Sequence, residues 1–174
     1  QACFVLAHDA AHYRLFKSRR LNDFVGRALA TPVGISMRTY RVVHRLHHNH
    51  LYGAQDPDIP LHGGYPRGRR YLIRKLLGDL TGRTAPKTFA YFLGAPAIND
   101  EAPGSNRPLH DTTPALRRAA RQDRLFVVGF HLGAPLLALA TGHFLTYLIL
   151  WILPLCTVLQ ALLRFRAICE HGAV

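Results

Sequence analysis

One uncharged apolar segment limits what this 174-residue chain can fold into. From Leu125 to Leu163 the sequence contains no Asp, Glu, Lys or Arg. A single helix of this length, at 1.5 Å per residue, would be nearly twice as long as the ~30 Å hydrocarbon core of a bilayer is thick. Two helices joined by a turn at 141–143 fit a bilayer. We therefore predict an all-α integral membrane protein with a transmembrane hairpin, its spans at about 125–140 and 144–163.

The net charge of +12, from 22 Lys and Arg against 10 Asp and Glu, is strongly positive. In a soluble domain this balance would favour nucleic-acid binding. Here arginines flank the apolar segment at both ends, which predicts that both ends of the hairpin are cytoplasmic and that these side chains face anionic lipid headgroups. We expect no nucleic-acid partner. The flanking arginines are Arg117, Arg118, Arg121, Arg124, Arg164 and Arg166.

Two histidine clusters predict a metal site. His8 and His12 are one helical turn apart, so they share a helix face. His44, His47 and His48 have the i, i+3, i+4 spacing that also places three side chains on one face. Imidazole suits iron, zinc, copper and nickel, so the spacing alone leaves the metal open. Five imidazoles exceed the three or four protein ligands that one zinc ion takes, which indicates more than one ion.

The pattern H-D-x-x-H followed by H-x-x-H-H, beside long apolar segments, resembles the membrane fatty acid desaturase family of di-iron enzymes. The resemblance implies two iron ions, O2 as co-substrate, and histidine boxes on cytoplasmic extensions of membrane helices. The family's third box, another H-x-x-H-H, is not in this sequence. We therefore interpret residues 1–174 as a single truncated desaturase-like domain, an internal fragment that we expect to be inactive alone. The iron ligands that the resemblance implies are His8, His12, His44, His47 and His48.

Further residues near the boxes have predicted supporting roles. His171 resembles an additional histidine that some members use, and we carry it as a sixth candidate ligand. Asp9, His50 and Glu170 are expected to lie behind the ligands, with Asp9 accepting a hydrogen bond from a ligand imidazole. Four other histidines are not expected to bind iron, because they lie in polar loops or inside the hairpin. These are His62, His110, His131 and His143.

The resemblance implies insertion of a double bond into a lipid acyl chain, with electrons from a ferredoxin, rubredoxin or cytochrome b5 type protein. Three alternatives stay open. The same scaffold supports hydroxylation of a fatty acid or alkane, or hydroxylation or ketolation of a carotenoid. The pair His8 and His12 around Asp9 is similar to the zinc-peptidase pattern H-E-x-x-H. A membrane protein that binds metal without catalysis is the third alternative.

The remaining segments are predicted from local patterns. Asn22 and Asp23 are expected to cap a helix that begins near Phe24. That segment is too short to cross a bilayer, which keeps both histidine boxes on one side. Residues 51–114 are predicted to be mainly cytoplasmic loop with amphipathic segments, including a helix over 69–80. The three cysteines show no C-x-x-C pairing, so no disulfide is expected.

Overall fold

The computed structural model describes residues 1–51, 53, 56–58, 67–95 and 112–171, with the backbone alone for residue 171. All regular elements within these ranges are helices, which agrees with the predicted all-α class. A 3₁₀ turn lies at Thr31–Val33 and a π turn at Leu148–Ile152. The α-helices are α1 (Ala2–Ala11), α2 (Arg19–Ala30), α3 (Met37–Asn49), α4 (Gly68–Leu80), α5 (Ala85–Phe92), α6 (Pro114–Ala140), α7 (Phe144–Tyr147), α8 (Leu153–Cys156) and α9 (Val158–His171).

Two stretches are long and apolar enough to cross a membrane: α6, and the nearly continuous helical run Phe144–Glu170. Only 11% and 28% of the residues in their most apolar windows are buried, so most of this surface is not covered by protein. The turn between them contains Gly142 at φ +74, a conformation that glycine adopts without strain. Helix α6 begins well before the predicted span, because Thr113 caps its first turn through its side chain.

The predicted cap at Asn22 and Asp23 is wrong. Helix α2 begins at Arg19, and the side chain of Ser18 is its N-cap. Asn22 is fully buried, accepts a hydrogen bond from the Phe16 N–H at 3.1 Å and donates to the Phe16 carbonyl oxygen at 2.6 Å. From the sequence, an Asn that bonds the backbone of the preceding loop cannot be distinguished from an N-cap, since both roles use the side-chain amide group.

Close contact between small side chains packs α1 against α2. A Cβ added at Gly26 would lie 2.8 Å from the Ala10 Cβ and 2.9 Å from the Met37 Cε, distances that real structures do not tolerate. Glycine is therefore required where the three N-terminal helices meet. Ala7, Ala10 and Ala30 are also buried in this core. The packing places α3 beside α1, which brings the two histidine clusters together.

The expectation that Arg164 faces lipid headgroups is wrong. Its side chain is buried, and its Nε donates to Asp79 Oδ2 at 2.5 Å while Nη2 donates to Oδ1 at 3.1 Å. Asp79 lies near the end of α4, the helix expected over 69–80, and it also accepts a hydrogen bond from Thr84 at 2.7 Å. The pair joins α4 to α9. A charged side chain stays buried only where an opposite charge and hydrogen bonds compensate the loss of water, and here Asp79 on α4 provides them.

Candidate metal centre

Helices α1 and α3 carry the two histidine clusters to one place. The C-terminal carbonyl groups of α1 are held by α3, because Arg41 donates to Ala10 O at 3.1 Å and to Ala11 O at 3.2 Å. Such contacts satisfy the carbonyls that a helix end leaves unpaired. The register of the two helices is thereby fixed, with His8 and His12 facing the histidines of α3.

Four imidazole rings form a compact cluster. The ring centroids of His8 and His12 are 4.7 Å apart, as expected for a pair one helical turn apart. His44 lies 4.6 Å from His8, 4.8 Å from His12 and 4.5 Å from His48. His48 is 5.1 Å from His12. Two sequence motifs separated by the whole of α2 thus contribute to a single group of rings.

The ring nitrogens of this cluster converge. His12 Nε2 lies 2.8 Å from His44 Nε2, and His48 Nε2 lies 3.1 Å from the same atom. Two nitrogens bound to one ion at ~2.0–2.1 Å are about 3 Å apart when their bonds are roughly perpendicular. One ligand nitrogen from each of His8, His12 and His44 falls within 4.8 Å of the other two. The spacing therefore suits nitrogens that share an ion.

His8 adds a second observation that fits a bound ion. Its Nδ1 is buried and has no hydrogen-bond partner in the described part of the chain. The nearest carboxylate oxygen, Asp9 Oδ1, is 3.5 Å away, which is too long for a strong hydrogen bond. Asp9 is about half exposed. A buried nitrogen without a partner is costly, so this position favours the binding of a further group.

The surroundings of His44 and His12 disfavour their charged forms. Burial, and then the neighbouring imidazoles of His8, His48, His12 and His47, lower the pKa of His44 to about 2. Burial and the nearby His48 also lower the pKa of His12. Four rings this close cannot all be protonated, because like charges repel at short range. The neutral imidazole is the form that binds metals.

His47 lies beside the four-ring cluster and is held by carboxylates. Its ring centroid is 5.8 Å from that of His44 and 5.4 Å from that of His48, and its side chain is fully buried. Its Nδ1–H donates to Asp56 Oδ1 at 2.7 Å, and Asp58 Oδ2 is 3.8 Å from the same nitrogen. This bond orients the ring and favours the tautomer that carries its proton on Nδ1.

The carboxylates oppose burial in setting the charge of His47. Burial lowers its pKa, but the hydrogen bond to Asp56 and the charges of Asp58 and Asp56 raise it above the usual value. Sequence reasoning missed both aspartates, since 51–60 was interpreted only as loop. The Asp-Pro-Asp sequence directly after the second box was the available signal.

Aromatic side chains cover one side of the cluster. Tyr40 stacks on His44, with ring centroids 5.2 Å apart and an interplanar angle of 16°. Phe4 and Phe92 pack against Tyr40 at 5.9 and 5.8 Å. All three are buried. The spacing of the histidines gave no sign of this wall, because it combines residues from α1, α3 and α5.

The other predicted site residues take varied positions. His50 is the C-cap of α3, and its backbone N–H bonds the Leu46 carbonyl at 3.0 Å. Glu170 accepts a hydrogen bond from Arg166 Nε at 2.6 Å and lines a cavity together with His8 and His44. His171 ends α9, and its side chain lies outside the described residues. His62 and His110 also lie outside them.

The two histidines within the apolar stretches lie apart from the cluster. His131 Nε2 is 3.0 Å from the Thr31 carbonyl oxygen, so the ring donates a hydrogen bond inside the helix bundle. His143 Nδ1 is 2.7 Å from the carbonyl oxygen of Thr141, within the turn after α6. Both rings use a nitrogen to bond the backbone.

Comparison with known proteins decides the family. The model of the fatty acid desaturase family matches residues 1–174, which is the whole chain. The chain belongs to the fatty acid desaturase family. It is therefore related to membrane-associated oxidoreductases of lipid metabolism. This membership removes the support for a zinc peptidase, because the H-D-x-x-H pattern is accounted for by the family.

Curated relatives match this desaturase-family chain over shorter segments. An endoplasmic reticulum omega-3 fatty acid desaturase of Vigna radiata var. radiata is 39% identical over 62 residues, which is 34% of this chain and 16% of the relative. An sn-1 acyl-lipid omega-3 desaturase (ferredoxin) of Nostoc sp. (strain 36) is 37% identical over 57 residues, 33% of this chain and 16% of the relative. The matched segments span about a sixth of these relatives. No solved structure matches the chain.

Proposed function

We propose that this chain carries part of the di-iron centre of an O2-dependent acyl-chain desaturase. The observation that supports the proposal most directly is the cluster of four imidazole rings, built from both histidine boxes, with Nε2 atoms of three rings 2.8 and 3.1 Å apart. All the candidate ligand atoms are imidazole nitrogens, and iron is one of the metals that imidazole binds. Five imidazoles in and beside the cluster exceed the needs of one ion.

The proposed ligands are the box histidines together with one candidate outside them. His47 is included because its ring lies beside those of His44 and His48, and because its Nδ1 bonds a carboxylate as the outer nitrogen of a ligand imidazole does. Asp9, His50 and Glu170 are proposed to orient ligands from behind. The proposed ligands are His8, His12, His44, His47 and His48, with His171 as a sixth.

When bound, two irons would supply the activation of O2 that removes hydrogen from an unactivated methylene group. The residues of this chain would prepare that step in two ways. The bond from His47 to Asp56 fixes one ring before any ion arrives, which lowers the cost of binding. The wall of Tyr40, Phe4 and Phe92 keeps water from one side of the rings, where it would compete with an apolar substrate.

Loss of hydrogen from two neighbouring carbons gives a double bond, whereas return of oxygen to the first carbon gives an alcohol. The difference depends on how the substrate is held against the site. The names of the relatives favour the first outcome, since those quoted above are omega-3 desaturases. The name of the Nostoc relative includes ferredoxin, which supports a ferredoxin-type electron donor for this chain.

The proposed membrane arrangement follows the two apolar stretches. Residues 125–140 and 144–163 form a hairpin, and the arginines before the first span lie at the cytoplasmic surface near anionic headgroups. In this arrangement both histidine boxes face the cytoplasm, where a soluble electron donor has access. The segment 51–114 lies mainly on the same side.

The test compares lipid acyl chains in a desaturase-deficient host that expresses the complete protein. His44→Ala is expected to abolish the new double bond, because His44 Nε2 is the atom on which the neighbouring nitrogens converge. His143→Ala is the matched control, since that ring bonds the Thr141 carbonyl oxygen in the turn after α6. Iron analysis of the purified protein should give about two ions per chain. The proposal would be refuted if His44→Ala, like His143→Ala, left the acyl profile unchanged. It would also be refuted if the purified protein contained one zinc ion and no iron.

A further inference from the structure

A tyrosine on α5 reaches the carboxylates behind His47. The Tyr91 hydroxyl donates a short hydrogen bond to Asp58 Oδ1, and the Tyr91 side chain is buried. The Tyr91 ring also packs against Phe92, with centroids 5.6 Å apart. This contact connects α5 to a segment that follows α3 by fewer than ten residues. The phenol is thus fixed at both its ring and its hydroxyl.

The contacts continue from Asp58 to the candidate ligand. The Asp58 N–H donates to Asp56 Oδ1 at 2.8 Å, and Asp58 Oδ2 is 3.8 Å from His47 Nδ1. Asp56 Oδ1 in turn accepts the Nδ1–H of His47 at 2.7 Å. One oxygen atom therefore serves both the aspartate backbone and the imidazole. Any movement of Asp58 changes the position of the carboxylate that holds the ring.

We propose that Tyr91 is a positioning residue for His47, acting through Asp58 and Asp56. The inference rests on the proposed metal site and adds a residue that neither histidine box contains. Groups that bond the outer nitrogen of a ligand imidazole set its tautomer and direction, and their loss weakens metal binding. Tyr91 extends that control by one step, because its hydroxyl fixes the second aspartate in place.

The two carboxylates beside His47 Nδ1 need a hydrogen-bond donor that holds one of them in place. Asp56 and Asp58 repel each other when both are ionised, and only one of them can take the Nδ1–H at a good distance. The Tyr91 hydroxyl donates to Asp58 Oδ1, which compensates the charge of that carboxylate, and the other oxygen, Oδ2, lies 3.8 Å from His47 Nδ1. Asp56 then keeps the shorter contact. Without the hydroxyl, the two carboxylates would compete for His47.

The experiment is a titration of the metal-free complete protein with Co²⁺ alone, followed through the visible absorption of the bound ion. Tyr91→Phe removes the hydroxyl and leaves the ring, so we expect the affinity for Co²⁺ to fall about tenfold and the absorption bands to shift. The thermal unfolding temperature of the metal-free protein should change little. Tyr147→Phe is the matched control, because the Tyr147 hydroxyl has no partner in the described part of the chain.

Asp58→Asn provides a second variant that alters the charge beside His47. It should reproduce the loss of affinity, and combining it with Tyr91→Phe should add little, since both act through the same carboxylate. If Tyr91→Phe binds Co²⁺ with the wild-type affinity and shows the wild-type absorption bands, this inference is overturned and the proposed function stays intact. Absence of Co²⁺ binding by the wild-type protein would overturn both. If Tyr91→Phe fails to fold, Asp58→Asn alone decides.

Discussion

Asp123 accepts a hydrogen bond from Ser36, with 3.1 Å between Ser36 Oγ and Asp123 Oδ2. The same oxygen accepts the backbone N–H of Arg38 at 3.1 Å. Arg27 Nε lies 2.8 Å from the other oxygen, without the alignment of a hydrogen bond, so that contact is electrostatic. Ser36 is the N-cap of α3. A carboxylate from the long apolar helix α6 therefore sits at the N-terminus of the helix that carries the second histidine box, where negative charge is favoured.

Substitution of Asp123 by Asn should destabilise the fold. The buried carboxylate has two hydrogen bonds and one ion pair, and hydrogen bonds to charged groups contribute about 1.5–3 kcal/mol each. Because Asn keeps one acceptor oxygen, we expect the free energy of unfolding to fall by about 2 kcal/mol. Chemical unfolding in detergent, followed by circular dichroism, measures it. Asp23→Asn is the control, since its ion pair with Arg41 is half exposed and should contribute less than about 1 kcal/mol.

Removal of the cap hydroxyl from α3 should cost more than the same change on α2. Ser36 and Ser18 are both N-caps, but Ser36 is fully buried and also bonds Asp123, whereas Ser18 is exposed. Loss of a cap costs about 0.5–2 kcal/mol. We expect Ser36→Ala near the upper end of this range and Ser18→Ala near the lower end. Equal unfolding free energies for the two variants would contradict a special role for the contact with α6.

The buried pair of Asp79 and Arg164 should respond differently to single and double substitution. Asp79→Ala removes the carboxylate that accepts two hydrogen bonds from the buried Arg164, and breaking a buried pair costs about 3–5 kcal/mol. The double variant with Arg164→Met removes both charges, and we expect it to recover most of that loss. Thermal unfolding temperatures of the two single variants and the double variant measure the effect. A double variant no more stable than Asp79→Ala would show that packing, and not charge, dominates at this site.

Metal-free protein should lose stability in mild acid. The folded-state pKa values of His44 and His12 lie below the unfolded value, so the unfolded chain takes up protons that the folded chain does not. Their contribution is complete above about pH 6.5 and decreases as the pH falls below it, by up to about 1.4 kcal/mol per pH unit for His44. His47 acts oppositely, because its raised pKa gives a contribution that is present below about pH 6.5 and lost above its folded pKa.

The pKa of His8 is also lowered by burial, and the contribution of His47 is already present below about pH 6.5, so the net slope between about pH 6.5 and 5 should be a loss of stability. His44→Phe removes the group whose pKa is lowered to about 2 and should flatten the slope. Unfolding free energies at half-unit intervals of pH give the comparison. A wild-type protein with constant stability from pH 7 to 5 would contradict the neutral cluster.

The helical class and the box histidines were predictable, because both depend on periodicity. The uncharged stretch 125–163 requires helices in a bilayer, and the spacing of His44, His47 and His48 requires one helix face. The cap of α2 was not predictable, since Asn22 has a typical capping side chain and uses it for a loop contact. Arg164 has a sequence position typical of a headgroup contact, but its buried side chain pairs with the distant Asp79.

By itself the sequence determined which side chains can bind a metal, since imidazole chemistry and helical spacing are local properties. The tertiary structure decided which of them meet and what holds them. The packing of α1 on α3 around Gly26 brings the Nε2 atoms of His12 and His44 to 2.8 Å from each other. Asp56 reaches His47, and Asp123 reaches Ser36, through contacts between segments that are remote or irregular in sequence. The contact of Asp123 with Ser36 depends on the packing of whole helices, which no local pattern records, whereas the Asp-Pro-Asp sequence after the second box is a local signal for Asp56.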